Sequence, residues 1–209
     1  SYRKKLFYHY FPSQFYTQTP FNLKDHGVTA YQLKKGWTVV AMDTTLATSL
    51  ISSDGLFSEK IEKNLNALLD SIPKKEKIIL MNHFPFFPSE RKRHSLIRGE
   101  ALQELIESRS NIALYLHGHT HRRSLADLRG SGLPIILDSG SLSHRNSSWN
   151  LLDFSSTGCE VSVYQFEKSN WKVVNNKEFL WIDKNNKIIS CEETNKVLNE
   201  NFIEVCSVL

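Results

Sequence analysis

The sequence predicts an α/β fold in which two β-sheets pack together as a sandwich flanked by helices. Three observations predict it. Continuous apolar runs of strand length occur at 38–42, 78–81 and 112–116, and two helix-period stripes separate them. That β-α-β-α-β order favours parallel strands with covering helices. After Ser124 the pattern changes to short strands and tight turns, as in a β-meander.

Residues 1–34 are rich in aromatic and basic side chains and are broken by Pro12 and Pro20. They read as an irregular segment in which one short helix is a candidate. Trp37 to Met42 is a buried strand closed by Asp43. Ser58 is placed to N-cap a helix whose stripe is Ile61, Leu65, Leu68, Leu69 and Ile72, and Pro73 ends it. Lys77 to Met81 is the second buried strand. A second helix is expected over 96–107, with Ala101, Leu102, Leu105 and Ile106 inward, followed by a third buried strand from Ile112 to Leu116. Gly130-Ser131-Gly132 is a turn between short strands. Pro134 to Leu137 and Leu151 to Phe154 are strands, and Val161 to Phe166 alternates as a strand with one wet face. Residues 168–209 are polar, with one more strand expected near Phe179-Leu180-Trp181-Ile182 and then a loosely held tail.

Composition bounds the function. The 209 residues are 40% hydrophobic and 23% charged, ordinary for a soluble globular domain. No apolar run approaches the roughly 18 residues that span a bilayer. A net charge of +4 is too small to suggest a nucleic-acid partner. Cys159, Cys191 and Cys206 lie far apart and are read as ordinary thiols of a reducing, cytoplasmic compartment. The opening Ser-Tyr-Arg-Lys-Lys-Leu has no initiating Met and no secretory segment, so an earlier start of the natural protein is expected.

Two segments carry chemistry. Met81-Asn82-His83-Phe84-Pro85 directly follows one buried strand, and Leu116-His117-Gly118-His119-Thr120-His121 follows the next. Functional groups collect beyond the carboxyl ends of such strands. His119 and His121, two apart, can serve ions roughly 3.5–4 Å from one another. Gly118 is expected to supply a backbone conformation other residues resist. His117 is read as a packing residue, and His9, His26, His94 and His144 as surface.

Asn82-His83-Phe84-Pro85 and Gly118-His119-Thr120-His121 resemble the last two signature blocks of the calcineurin-like metallophosphoesterases. The resemblance runs over roughly 36–166, through the strand ending at Asp43 and the segment Asp138-Ser139-Gly140-Ser141. It implies that residues 1–167 are the C-terminal portion of such a domain and 168–209 its final strand and tail. It implies two divalent metal ions (Mn, Fe, Zn or similar), with His83 and His119 on one and His121 on the other. The family's earlier Asp-x-His, Gly-Asp-x-x-Asp and Gly-Asn-His-Asp/Glu blocks are not in this sequence and are expected upstream of Ser1. This chain by itself is therefore expected to bind metal weakly and turn over little.

The same resemblance implies hydrolysis of a phosphoester or pyrophosphate, with two cations lowering the pKa of the attacking water. Among subgroups the chain is most similar to enzymes that split UDP-2,3-diacylglucosamine in lipid A synthesis. A cyclic-nucleotide phosphodiesterase and a non-catalytic binding module remain alternatives. Arg91, Arg93 and Arg122 are the candidate substrate-binding residues, because guanidinium groups grip phosphate oxygens. Arg98, Arg123 and Arg145 fall in the same loops. The expected partner is a phosphorylated small molecule or nucleotide-lipid, with peripheral contact to the inner membrane compatible with the latter. Phe84, Phe86 and Phe87 form an apolar loop suited either to substrate contact or to the core.

Overall fold

Three apolar runs build the parallel part of a sheet. The computed structural model describes residue 8 and residues 19–33, 36–46, 53–88, 94–143, 147–181 and 203–204. The chain divides into two compact units, Ser1–His119 and Thr120–Leu209.

The first unit contains α1 (Leu23–His26), β1 (Val28–Gln32), β2 (Trp37–Met42), β3 (Gly55–Leu56), α2 (Glu59–Ser71), β4 (Lys77–Met81), β5 (Leu96–Ile97), α3 (Gly99–Glu107) and β6 (Ile112–His117). Its strands run in the order β1-β2-β4-β6. β2, β4 and β6 are parallel, with Val40 opposite Leu80 and Leu80 opposite Tyr115. β1 pairs antiparallel with β2. The α/β class read from the sequence is borne out. Trp37, Val40, Ile78, Leu80 and Leu114 of the strands are fully buried, and so are Leu65 and Leu102 of the helices. Each such aliphatic side chain contributes about 1.5–3 kcal/mol by leaving water.

Helix α2 forms as its sequence dictates. Ser58 Oγ accepts the Ile61 amide at 3.3 Å, and Ile61, Leu65, Leu68 and Leu69 form the buried stripe. Ile72 already turns extended, at φ −85 and ψ 130, because Pro73 excludes it from the helical region.

In the first unit, β1 and the start of α3 differ from expectation. Val28–Gln32 is a strand inside the segment read as irregular; its pairing along β2 decides it, and that pairing is not visible locally. The second helix starts at Gly99, not at 96, because Leu96–Ile97 pairs with Gly55–Leu56 as a short parallel strand. Arg98 sits between them in the left-handed region, at φ 61. A side chain at Gly99 would collide with the Phe86 carbonyl oxygen, so the helix can begin there only with glycine. Ala101 is half-buried, whereas Leu102, Leu105 and Ile106 face inward as expected.

The second unit contains β7 (Arg123–Asp127), β8 (Ile135–Ser139), β9 (Ser148–Phe154), β10 (Gly158–Glu167), β11 (Asn170–Leu180) and β12 (Ile203–Glu204). β7 and β8 form an antiparallel pair around a 3-10 turn at Arg129–Ser131, and β12 lies parallel to β7. β9, β10 and β11 make an antiparallel sheet in the order β11-β10-β9. One face buries Cys159, Val161, Val163 and Phe179. Trp149 stacks on Tyr164 across the strands, 4.1 Å between centroids. Strand β11 begins at Asn170, well before the expected 179–182. Its stretch from Lys172 to Lys177 lacks apolar alternation, which hid it; hydrogen bonding along β10 holds it there.

Candidate metal centre

A buried polar network shapes the bend after β4. Thr44 Oγ1 donates to Asn82 Oδ1 at 2.7 Å. Asn82 Nδ2 donates to the Phe84 carbonyl at 3.1 Å and to Tyr115 Oη at 3.2 Å. Tyr115 Oη donates to the same carbonyl at 2.7 Å. Burial pushes the Tyr115 phenol above its ordinary range, against the lowering effect of Asn82, so it stays a neutral donor. Asn82 thus works as a clamp that orients the next residue, His83.

The segments after β4 and β6 are stitched together beyond the ends of both strands. The Asn82 amide donates to the Leu116 carbonyl and the Gly118 amide to the His83 carbonyl, both at 3.0 Å. This register brings His83 and His119 side by side. His119 Nδ1 lies 3.3 Å from His83 Nε2, with rings 5.2 Å apart and nearly perpendicular. The Phe84 ring lies 4.5 Å from that of His119 and walls one side of the pair.

The pair fits a divalent ion of the imidazole-binding class. Two nitrogens on one tetrahedral ion, each bonded at about 2.0–2.1 Å, stand about 3.3–3.4 Å apart. The observed 3.3 Å has that length. Among the described residues, no group of three or more His, Cys, Asp or Glu could hold an ion. Two imidazoles are half a cage, and among the described residues no carboxylate completes it.

His121 belongs to the second unit. It is exposed, and both His119 (φ 71) and His121 (φ 56) occupy the left-handed region. Gly118 does not. A Cβ at Gly118 would meet only ordinary contacts to His83, 3.7 Å at the nearest, so the expected special role of that glycine falls to the histidines themselves. Between them, Thr120 Oγ1 donates to Asp138 Oδ2 at 2.5 Å, and Asp138 Oδ1 accepts the Gly140 amide at 2.8 Å. Asp138 is fully buried at the end of β8. Sequence reading placed Asp138 at a strand end without a role; its partner is the middle residue of the His-Thr-His turn.

The other strand-end carboxylate, Asp43, is engaged by Tyr8 Oη at 2.6 Å and by the Thr45 amide at 3.0 Å. His117 is buried, as expected of a packing residue, against Phe87 and Tyr115. Phe84 and Phe86 are core residues, while Phe87 remains 38% exposed. His26 is not a plain surface residue, since its Nδ1 accepts the Asn22 amide at 3.1 Å. His94, read from the sequence as surface, stands 5.9 Å from His119, ring to ring. No local signal marks it; the β3–β5 pairing brings it there.

The candidate arginines separate. Arg122 is exposed, with its amide donating to Thr120 Oγ1 at 3.1 Å. Arg91, Arg93 and Arg145 lie outside the described residues. Arg123 turns inward and donates to Gln165 at 2.9 Å, and burial lowers its pKa. Arg98 is held by Glu62 at 2.6 Å and by the Phe57 carbonyl. Neither Arg123 nor Arg98 is the open phosphate grip that the sequence suggested.

Residues 3–123 match the model of the calcineurin-like phosphoesterase family. The match opens earlier than the quoted motifs and ends just after the His-Thr-His turn. No curated protein matches significantly. Among solved structures, a single mutant of Vps29 from Entamoeba histolytica is similar at 13% identity and TM-score 0.39, over 79% of this chain and 65% of that one. Wild-type Vps29 of that organism, complexed with zinc, gives 17% identity and TM-score 0.33 over 49% and 54%. A protein described as a 5'-nucleotidase, from Staphylococcus aureus, gives 13% and 0.34 over 88% of this chain and 34% of that one. The chain thus spans less than two thirds of each of these.

Proposed function

This chain belongs to the calcineurin-like phosphoesterase family, and from that premise we propose that it takes part in metal-dependent hydrolysis of a phosphoester or pyrophosphate bond. The observation that carries the proposal is the His83–His119 pair, 3.3 Å between ring nitrogens at adjoining strand ends. His83 and His119 would hold one divalent ion, and His121 is the candidate for another by its place in the motif. Bound cations of this kind supply Lewis acidity and lower the pKa of water. The chain's own part is to orient the His83 imidazole through the Asn82 clamp, and to wall one side of the pair with Phe84. Arg122 offers an exposed cation for a phosphate oxygen.

UDP-2,3-diacylglucosamine is the first substrate to test, on the similarity of the motifs to the lipid A pyrophosphatases; a cytoplasmic protein touching the inner membrane would suit it. Phosphorus NMR would follow the protein with Mn or Zn on this compound, and in parallel on 2′,3′- and 3′,5′-cyclic nucleotides. Metal-dependent loss of the pyrophosphate signals, abolished by His119→Ala, supports the reading. Turnover of cyclic nucleotide alone would move the substrate to the runner-up. No turnover of any, in a protein carrying the complete set of family blocks, would overturn the hydrolase.

A further inference from the structure

We propose that His94 is a phosphoryl-binding residue of this site and not a ligand of its metal. The inference rests on the functional reading above and names the part of the substrate that a third imidazole would take.

The backbone next to His94 is tied down. The Ser95 amide donates to Asp54 Oδ1 at 3.0 Å, and the Gly55 amide donates to the Ser95 carbonyl at 3.0 Å. Directly after it, Leu96 pairs with Gly55. These bonds fix the backbone on both sides of the contact. The ring is fixed as well, because Ser53 Oγ lies 2.5 Å from His94 Nδ1. It stands 5.9 Å from the His119 ring, at 42° to it.

The chemistry follows from which nitrogen is occupied. The Ser53 hydroxyl takes up Nδ1, whichever of the two groups donates, and leaves Nε2 as the ring atom that can meet a ligand. With the hydroxyl as donor to Nδ1, Nε2 carries the ring proton and can donate to an anionic oxygen. The spacing agrees. His83 and His119 nitrogens stand at the separation of two ligands on one ion, whereas no third ionisable or imidazole ligand joins them among the described residues. His94 is therefore beside the ion's position without sharing it. A phosphoryl oxygen held near that ion would come within reach of such a neighbour. The ligand class is a tetrahedral oxyanion: a phosphomonoester, a phosphodiester or the scissile phosphorus of a pyrophosphate.

The test is a nitrogen-15 NMR spectrum of the histidine rings, recorded as Zn is added and then inorganic phosphate. Zn should shift one ring nitrogen each of His83 and His119 and leave His94 unmoved; phosphate added next should shift His94 Nε2. In calorimetry, His94→Ala should weaken phosphate binding about tenfold, as for the loss of one hydrogen bond to a charged group. Zn affinity should stay within about twofold, a range too small to register as a lost ligand. His94→Gln, which keeps an N–H donor, should recover part of the loss. A Zn-coordination shift at His94, or phosphate binding unchanged in His94→Ala, overturns the proposal. If Zn leaves His83 and His119 untouched, the metal reading itself fails, which is a different outcome.

Discussion

Thr120 donates its hydroxyl to the fully buried Asp138, 2.5 Å from Oδ2, in the residue between two histidines of positive φ. Left-handed backbone costs a non-glycine residue about 1–2 kcal/mol. At His119 and His121 that cost is tolerated because the turn is tied to a carboxylate that needs the donor. Thr120→Val should therefore destabilise the protein by about 1–3 kcal/mol, the scale of losing one hydrogen bond to a charged, buried group. Thr120→Ser should restore most of it. Urea denaturation midpoints check both.

Asn82 is predicted to matter for shape before chemistry. Asn82→Ala strands Thr44 Oγ1 and removes one of the two donors to the Phe84 carbonyl. The expected loss is about 1–3 kcal/mol in chemical denaturation, with metal affinity falling as well because His83 loses its brace. Unchanged stability would show that the clamp is not structural.

Gly99 opens helix α3 against the Phe86 carbonyl. Gly99→Ala should cost about 1–3 kcal/mol by overpacking, despite alanine's better helix propensity. A thermal melt distinguishes this from the small stabilisation that propensity alone would give.

Alkaline pH should destabilise the fold. Burial, reinforced by Asp153 and Glu160, pushes the Cys159 thiol up to about 12. Burial also raises the Tyr8 and Tyr115 phenols above their ordinary range. Unfolded Cys and Tyr release protons from about pH 8.5 and 10. The unfolded chain then binds fewer protons than the folded one, so unfolding free energy falls as pH rises. The contribution is whole below about pH 8.5 and declines toward pH 12 for the thiol. Urea titrations at pH 8 and pH 10.5 should show the drop, and Cys159→Ala should lessen it.

Much of the first unit was legible because burial wrote it directly into the sequence. Strands covered on both faces read as near-continuous apolar runs, and 39–42, 78–81 and 112–116 are such runs. Ser58 and Pro73 punctuate α2 by local chemistry alone. What was hidden depends on partners distant in sequence. Val28–Gln32 is a strand because β2 lies beside it, and Leu96–Ile97 because Gly55–Leu56 does. Lys172–Lys177 is held by β10 without apolar alternation.

In the site, His83 and His119 were legible from their places after successive buried strands, and the structure brings them together. His94 was not, since it reaches His119 only through the β3–β5 pairing. Arg98 and Arg123 looked like phosphate ligands in a linear reading. Their ties to Glu62 and Gln165 come from contacts 36 and 42 residues away, which no motif records.

The most direct measurement is calorimetric titration of this chain with Zn, alongside His83→Ala and His119→Ala. One weak site is predicted, with affinity falling at least about tenfold in either variant, as expected for loss of one of two ligands. Two tight sites, or an affinity indifferent to both substitutions, would contradict the His83–His119 centre.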